Sequence, residues 1–290
     1  MKKIEDCNFG FVGLGLMGGA LSIALNQEKI VGEGHQIFAY DIDASVLRLA
    51  EESGVIDKGF TQPVEMLKQC DVVFICLNPG AEIQFMETHM RNFLPGTLLT
   101  DISGVKQKAA ERIDAILRDD LDFIPGHPMA GREKGGFAEA GKVNFHGKNY
   151  ILTPLERNRS ENLAFMRELI TRIGFTQITE TTLLDHDKKI AFTSQLCHVI
   201  ASALIDCEAD SKITRFGGGS FEDLTRIAML NAPMWTELFI DNRDELINCI
   251  NRFESSLDKL KLMIDHGTKD ELIETLSAVR ARRIEMTASE

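Results

Sequence analysis

The chain has 290 residues, with 32 Lys and Arg against 44 Asp and Glu, a formal net charge of −12, and 44% hydrophobic residues. That length and balance suit two globular domains with sizeable cores. They argue against a nucleic-acid partner, which calls for a basic excess. No apolar run approaches the ~18 residues of a membrane span, so no membrane association is expected. The basic start, Met1 to Cys7, is followed by an apolar stretch broken at Gly10, Gly13 and Gly15, so no secretory leader is expected. Cys7, Cys70, Cys76, Cys197, Cys207 and Cys249 are scattered with no C-x-x-C pair. This pattern fits reduced thiols in a cytoplasmic protein, offers no clustered zinc ligands, and leads to the expectation of no metal.

The first half alternates short apolar runs with amphipathic stretches, the pattern of a parallel α/β sheet. Phe9–Val12 reads as a strand, followed by a helix that includes Ala20 to Leu25. Gln36–Tyr40 is a second strand and Ser45–Ser53 a helix. Asp71–Leu77 is apolar almost throughout, as a strand buried on both faces requires. Leu98–Asp101, Leu121–Ile124 and Asn149–Thr153 are further strands, Glu161–Ile173 is an amphipathic helix, and Thr176–Thr179 is a candidate edge strand. From about Thr182 the strand signals stop. Thr182-x-x-Asp185 and Ser220-x-x-Asp223 are candidate capping boxes. A helix through Ile190, Leu196, Val199, Ile200, Ala203 and Leu204 follows the first box, and Asn242–Ile264 and Asp270–Met286 read as long helices. The expectation is a domain of residues 1–180 followed by an all-helical domain of residues 181–290.

Gly13-Leu14-Gly15-Leu16-Met17-Gly18 is a G-x-G-x-x-G that follows a strand and opens a helix, and the next strand ends in Asp41, about 20 residues on. In that setting the hexamer reads as the phosphate turn of a Rossmann-type doubly wound sheet. Gly13 permits the tight turn, Gly15 lets the backbone approach a pyrophosphate, and Gly18 lets helix and strand pack closely. The free N–H groups of the helix N-terminus hold phosphate. Asp41 accepts hydrogen bonds from ribose hydroxyls and repels a 2′-phosphate, which favours NAD over NADP.

Two segments past strand ends carry chemistry: Ser103-Gly104-Val105-Lys106, and Gly126-His127-Pro128-Met129-Ala130-Gly131. Open α/β sheets bind ligands there, and a loop histidine in that place can serve as a base towards a hydroxyl being oxidised. The Gly-His-Pro-Met-Ala-Gly segment with Glu133-Lys134-Gly135-Gly136 resembles the prephenate/arogenate dehydrogenase family of tyrosine biosynthesis. So do Asp101–Lys106 (that family's serine loop), His186-Asp187 with Ser194–His198 (its substrate helix), and Gly217–Ala228 continuing to Pro233-Met234-Trp235 (its arginine helix).

The resemblance implies an NAD-dependent oxidative decarboxylation: of prephenate to 4-hydroxyphenylpyruvate and CO2, or of arogenate to tyrosine. Hydride leaves the ring carbinol carbon, the hydroxyl proton goes to a base, and CO2 leaves the opposite ring carbon as the ring becomes aromatic. His127 and Ser103 are the implied catalytic pair. His198 and Arg226 hold the substrate's side chain and carboxylate, with Ser194, Glu133 and Asp223 completing the substrate set. Asp223 is placed to orient Arg226, and Ser194 shares a helix face with His198. Trp235 is expected in packing rather than in the site.

The sequence departs from the family at Gly104, Gln195, Cys197 and Arg132, which bears on substrate preference more than on reaction type. Arg132, Lys106 and Lys134 are either pocket cations for a dianionic substrate or solvated loop residues. The helical domain is the expected homodimer interface. Two other readings stay open: a β-hydroxyacid dehydrogenase, which shares the glycine turn and a helical second domain, and a catalytically silent NAD-binding regulator.

Overall fold

The structure, a computed structural model, describes residues 2–132 and 134–288. It separates into two compact units, residues 1–242 and 243–290. In the first, β1 (Phe9–Val12), β2 (Ile37–Tyr40), β3 (Lys58–Phe60), β4 (Val72–Ile75), β5 (Leu98–Asp101) and β6 (Asp122–Phe123) form one parallel sheet. The strand order is β3-β2-β1-β4-β5-β6. The helices between them are α1 (Leu16–Gln27), α2 (Ala44–Glu52), α3 (Val64–Leu67), α4 (Pro79–His89) and α5 (Gln107–Asp114).

Every residue of β1, β4 and β5 is buried, because each face of the sheet carries its own apolar cluster. One contains Phe11, Leu21, Leu25 and Phe74; the other contains Val12, Val73, Met86 and Ile113. Phe11 and Phe74 stack across the β1–β4 pair with ring centroids 5.2 Å apart. The strand order reverses between β1 and β4, and the carboxyl ends of these two strands form the crevice where such sheets bind nucleotides.

A second sheet follows. β7 (Gly126–Pro128) pairs antiparallel with β8 (Asn149–Leu152), which pairs parallel with β9 (Gln177–Glu180). Between β8 and β9 runs α6 (Ser160–Ile173), whose Phe165, Met166, Leu169, Ile170 and Ile173 are buried at helical spacing. His127 therefore sits on a strand, not on the loop expected from its Gly and Pro neighbours: β8 supplies the pairing that the local sequence does not announce.

No strand follows Glu180 among the described residues. Thr182 caps α7 (Leu183–Ile190), its side chain accepting from the N–H of Asp185 at 3.2 Å; this is half of the expected box, since the Asp185 carboxylate accepts from the Thr181 hydroxyl at 2.8 Å instead of closing back on Thr182. The continuous helix expected beyond it is interrupted by a π-turn, Ala191–Gln195, before α8 (Leu196–Asp206). The second expected box does not form. α9 (Gly219–Thr225) starts with Gly218 at its N-cap and no side-chain cap, so Ser220 lies inside the first turn. A 3₁₀ turn, Arg226–Ala228, then leads to α10 (Ala232–Asp241). The second unit is made of α11 (Arg243–Asp265) and α12 (Lys269–Ala288).

Candidate active site

The turn from β1 into α1 is built as the glycine pattern predicts. Gly13 has φ +91°, a conformation that side-chain-bearing residues avoid. A Cβ on Gly18 would lie 2.2 Å from the carbonyl oxygen of Gly13, so only glycine lets the helix approach the turn this closely. A Cβ on Gly15 would meet nothing within 4 Å, and Gly15 lines a cleft of about 750 Å³. The N-cap of α1 is Gly15 itself, with no side chain spent on the first-turn N–H groups. Asp41, one residue past β2, accepts from Leu14 N–H at 2.7 Å and Asp43 N–H at 2.9 Å, and these bonds hold its carboxylate beside the turn. An open cradle at a bare helix N-terminus with an acid at the next strand end fits a dinucleotide. Gly15, Leu16, Met17 and Gly18 line the cleft, while Leu14 is buried beside Asp41.

Asp101 ends β5 and ties the rest of the cleft floor together. Its Oδ2 accepts from Ser103 N–H at 2.9 Å, and its Oδ1 accepts from Gly126 N–H at 3.0 Å. The serine loop and the strand that carries His127 are thereby fixed to one carboxylate. Ser103 is 5% exposed, lines the cleft, and donates its hydroxyl to Val105 O at 3.0 Å.

Lys106 is neither a pocket cation nor a solvated loop residue. It is 1% exposed with its Nζ on Asp101 Oδ2, because a charge buried this deeply needs its partner within hydrogen-bond reach. Glu82, on α4, is also fully buried, and neither carboxylate oxygen has a hydrogen-bond partner among the described residues. Burial and the nearby Asp101 push its carboxyl well above the usual range, against a smaller opposing effect of Lys106.

His127 lines the cleft, and its Nε2 faces Gly104, where a Cβ would lie 3.8 Å away. Its Nδ1 is 2.9 Å from Nε2 of His186, whose Nδ1 is 2.7 Å from Asp187 Oδ1. Burial, then His186, then Lys106 hold His127 well below the ordinary histidine range. The ring is therefore neutral, with proton-accepting capacity, at neutral pH.

On the opposite side, the π-turn and α8 present Ser194 and His198 to the same cleft. His198 Nδ1 bonds the carbonyl of Ile227 at 2.9 Å, and its ring packs on Trp235 with centroids 3.7 Å apart. Trp235 thus lines the cleft rather than serving only in packing. Gln195 is 1% exposed and committed to structure: its Nε2 donates to Leu238 O at 2.9 Å and its Oε1 accepts from Asn242 Nδ2 at 2.8 Å. Arg132 and Lys148 line the cleft as exposed cations. Arg226 and Asp223 are exposed and lie outside the lining; Ile227, next to Arg226, is part of it. Lys134 is exposed and outside it too. Glu133 falls outside the described residues. The residues that sequence reasoning missed as a site are His186 and Asp187 in their actual place behind His127, together with Lys148.

A dinucleotide turn and a neutral, half-buried histidine on one cleft define a Rossmann-type oxidoreductase. The comparisons with known proteins narrow this class. The chain belongs to the prephenate dehydrogenase family: the profile of the prephenate dehydrogenase nucleotide-binding domain matches residues 25–179, and that of the prephenate dehydrogenase dimerization domain matches residues 184–278. The glycine turn precedes the matched segment and rests on its own geometry.

The prephenate dehydrogenase of Bacillus subtilis (strain 168) is 26% identical over 280 residues, covering 94% of this chain and 74% of that protein. The crystal structure of prephenate dehydrogenase from A. aeolicus, in complex with hydroxyphenyl propionate and NAD+, superposes with a TM-score of 0.87 at 28% identity, covering 98% of this chain and all of that one. Synechocystis arogenate dehydrogenase gives a TM-score of 0.79 at 26% identity, covering 96% and 99%.

Proposed function

We propose that this protein is an NAD-dependent prephenate dehydrogenase that converts prephenate to 4-hydroxyphenylpyruvate and CO2. The observation that carries this reading is the sharing of one cleft by the glycine turn and the bonded, neutral His127. NAD, when bound, would supply the hydride acceptor. The turn at Gly13–Gly18 and the N-terminus of α1 would hold its pyrophosphate, and Asp41 its ribose hydroxyls. His127 removes the proton from the ring hydroxyl through Nε2. Ser103 donates to the same ring oxygen by turning its hydrogen from Val105 O, where it rests in this structure. His198, Ser194 and Arg226 hold the side chain and carboxylates, with Glu133 and Asp223 as supporting members of the set.

Prephenate is favoured over arogenate by the charge of the lining. Among the described lining residues there are two cations, Arg132 and Lys148, and no Asp or Glu. Two cations without a described acid beside them suit the dianion prephenate better than arogenate, whose ammonium lowers its net charge; of the acids in the proposed set, Asp223 lies outside the lining and Glu133 outside the described residues. The test is NADH formation by the purified protein given NAD with prephenate and, separately, with arogenate. Turnover with prephenate at the higher kcat/KM is expected. A preference for arogenate would reverse the substrate assignment, and silence with both would return the β-hydroxyacid reading.

The protein is proposed to be a homodimer and cytoplasmic. Ile247, Leu257, Leu262 and Ile264 on α11, and Ile273, Leu276, Val279 and Ile284 on α12, are each between 46% and 66% exposed, more apolar surface than a two-helix unit leaves in water. Light scattering at micromolar concentration should give twice the chain mass, and a monomer would refute the dimer. All six cysteines are free thiols, in keeping with a reducing compartment. No helix among the described residues is long and apolar enough to cross a membrane.

A further inference from the structure

We propose that His186 and Asp187 are positioning residues that decide which nitrogen of His127 is the base and that give the abstracted proton a second imidazole to pass to. This deepens the reading of His127 as the base and rests on it. The resemblance put His186-Asp187 on a substrate helix. The structure places His186 elsewhere: it is 1% exposed and both its ring nitrogens are engaged, so it lies behind His127 and not against substrate.

The assignment follows from Asp187. Its Oδ1 accepts from Lys106 N–H at 2.8 Å and its Oδ2 accepts from Gln107 N–H at 2.9 Å, at the entry to α5. A carboxylate held as acceptor on both oxygens demands a hydrogen on His186 Nδ1, 2.7 Å away. In the neutral ring, His186 Nε2 is then bare. The hydrogen in the 2.9 Å contact between the two rings has to come from His127 Nδ1. That leaves His127 Nε2, the nitrogen facing Gly104 and the cleft, with its lone pair.

Without the pair, the ring of His127 would be free to carry its hydrogen on the cleft side, where it could not act as a base. The backbone N–H donors fix Asp187, Asp187 fixes His186, and His186 fixes His127.

The same chain accommodates the product of the proton transfer. As hydride leaves the substrate carbon and its C–O bond becomes a carbonyl, the hydroxyl proton goes to His127 Nε2. The hydrogen on His127 Nδ1 moves to His186 Nε2. His127 is then neutral with its hydrogen on Nε2, and His186 is an imidazolium against the Asp187 carboxylate. When CO2 leaves the opposite ring carbon, its electron pair makes the ring oxygen a phenolate, which takes the proton back from His127 Nε2 as the hydrogen on His186 Nε2 returns to His127 Nδ1, so the pair holds the extra proton only between the two steps. The charged groups that bear on the two rings are Lys106 at the start of α5, Asp101 at the end of β5 and Asp187 on α7. Asp187 and Asp101 favour charge on His186, while burial and Lys106 oppose it. Nothing comparable favours charge on His127.

Two measurements test this. The first is independent of turnover: ¹⁵N spectra of histidine-labelled wild-type protein at neutral pH, with the His127 signals identified by their loss in His127→Asn. Hydrogen on Nδ1 and a bare Nε2 are expected, and hydrogen on Nε2 overturns the proposal whatever substrate the enzyme uses. The second is kinetic. His186→Leu should lose about 10²–10³-fold in kcat while NAD binding, followed by titration, and the substrate KM stay within about threefold. His186→Gln, whose amide oxygen can accept from His127 Nδ1–H, should recover at least about tenfold of that loss. A folded His186→Leu enzyme with near-normal kcat overturns the proposal. So does a loss confined to substrate KM, which would make His186 a substrate contact.

Discussion

Two glycines of the same turn are expected to fail in opposite ways when each is replaced by alanine. At Gly18 the added Cβ would sit 2.2 Å from Gly13 O, with Cys76 Cβ and Sγ at 3.2 and 3.3 Å. The closest of these is backbone, so no rotamer change relieves it, and α1 must move off β1. Overpacking of this kind costs about 1–3 kcal/mol, or roughly 2–12 °C in Tm at 2–4 °C per kcal/mol for a chain of this size. At Gly15 the backbone is extended, φ −78° and ψ −150°, which alanine adopts freely, and its Cβ would meet no protein atom within 4 Å. The new methyl instead projects where the pyrophosphate must approach. Gly15→Ala should therefore keep its Tm within a degree or two and weaken NAD binding about 10–100-fold, a loss of ~1.4–2.8 kcal/mol. Thermal unfolding without cofactor and NAD titration read the two effects separately. Unchanged NAD affinity in Gly15→Ala, or a Tm loss equal to that of Gly18→Ala, would refute the division of labour between the two positions.

His127→Asn should keep NAD affinity and lose about 10²–10⁴-fold in kcat, the usual worth of a positioned base; near-normal turnover removes His127 from the reaction. An ordinary histidine would put the acid limb of kcat/KM near pH 6.5, but burial, His186 and Lys106 depress His127, so the limb should lie clearly below that value. A limb at or above 6.5 would contradict the environment described for the ring. The sign for stability follows: between its folded and unfolded pKa values His127 binds fewer protons folded than unfolded, so its contribution is full above 6.5 and is lost as pH falls through the depressed value. Glu82 works the other way. Its raised pKa makes the fold bind a proton that the unfolded chain gives up near pH 4.3, so stability drains as pH rises through the folded value. Glu82→Met should raise stability by about 1–3 kcal/mol at pH 8 and by less at pH 5, measured by urea unfolding at both; an equal gain at the two pH values would show that its charge is not the cost.

The elements that the sequence announced are those whose burial is written in consecutive residues. β1 and β5 occupy the predicted spans and β4 lies inside its own, because strands buried along their whole length are mostly apolar; β8 also lies inside its span, with Tyr150 and Leu152 buried in alternation. β3, a Lys-Gly-Phe at the sheet edge, carries no such run, and α5 buries only Ala109, Ala110 and Ile113 among charged neighbours. Both were invisible for that reason. The π-turn slips the 3.6-residue period by one position, so the apolar pattern from Ile190 to Leu204 read as a single helix.

In the site, the glycines, Asp41, Ser103 and His127 were legible because their chemistry depends on local geometry past strand ends. The His127–His186 contact joins residues 59 apart and the Asp187–Lys106 bond residues 81 apart, and no local spacing encodes either. Gln195 stood out as a departure from the family, yet it proved to be a structural tie between α10 and the π-turn.

The charge problem posed by composition has a local answer. A chain of net charge −12 should repel a substrate that carries two carboxylates. At physiological ionic strength, however, charges beyond about 8 Å are largely screened, so the field in the cleft is set by what lines it. The floor contributes little net charge: Lys106 is cancelled by Asp101, and Glu82 is held towards its neutral form. The histidines are spent on hydrogen bonds that fix their rings. Arg132 and Lys148 remain, both exposed at the wall; among the described residues the carboxylate paired with Arg132 is Glu139, at 3.8 Å, too long for a strong pair. Arg132 is one of the positions at which this chain departs from its family. In this arrangement an acidic enzyme gathers a dianion with a few rim cations, while the base behind them stays neutral because burial, then His186 and Lys106, disfavour its charged form.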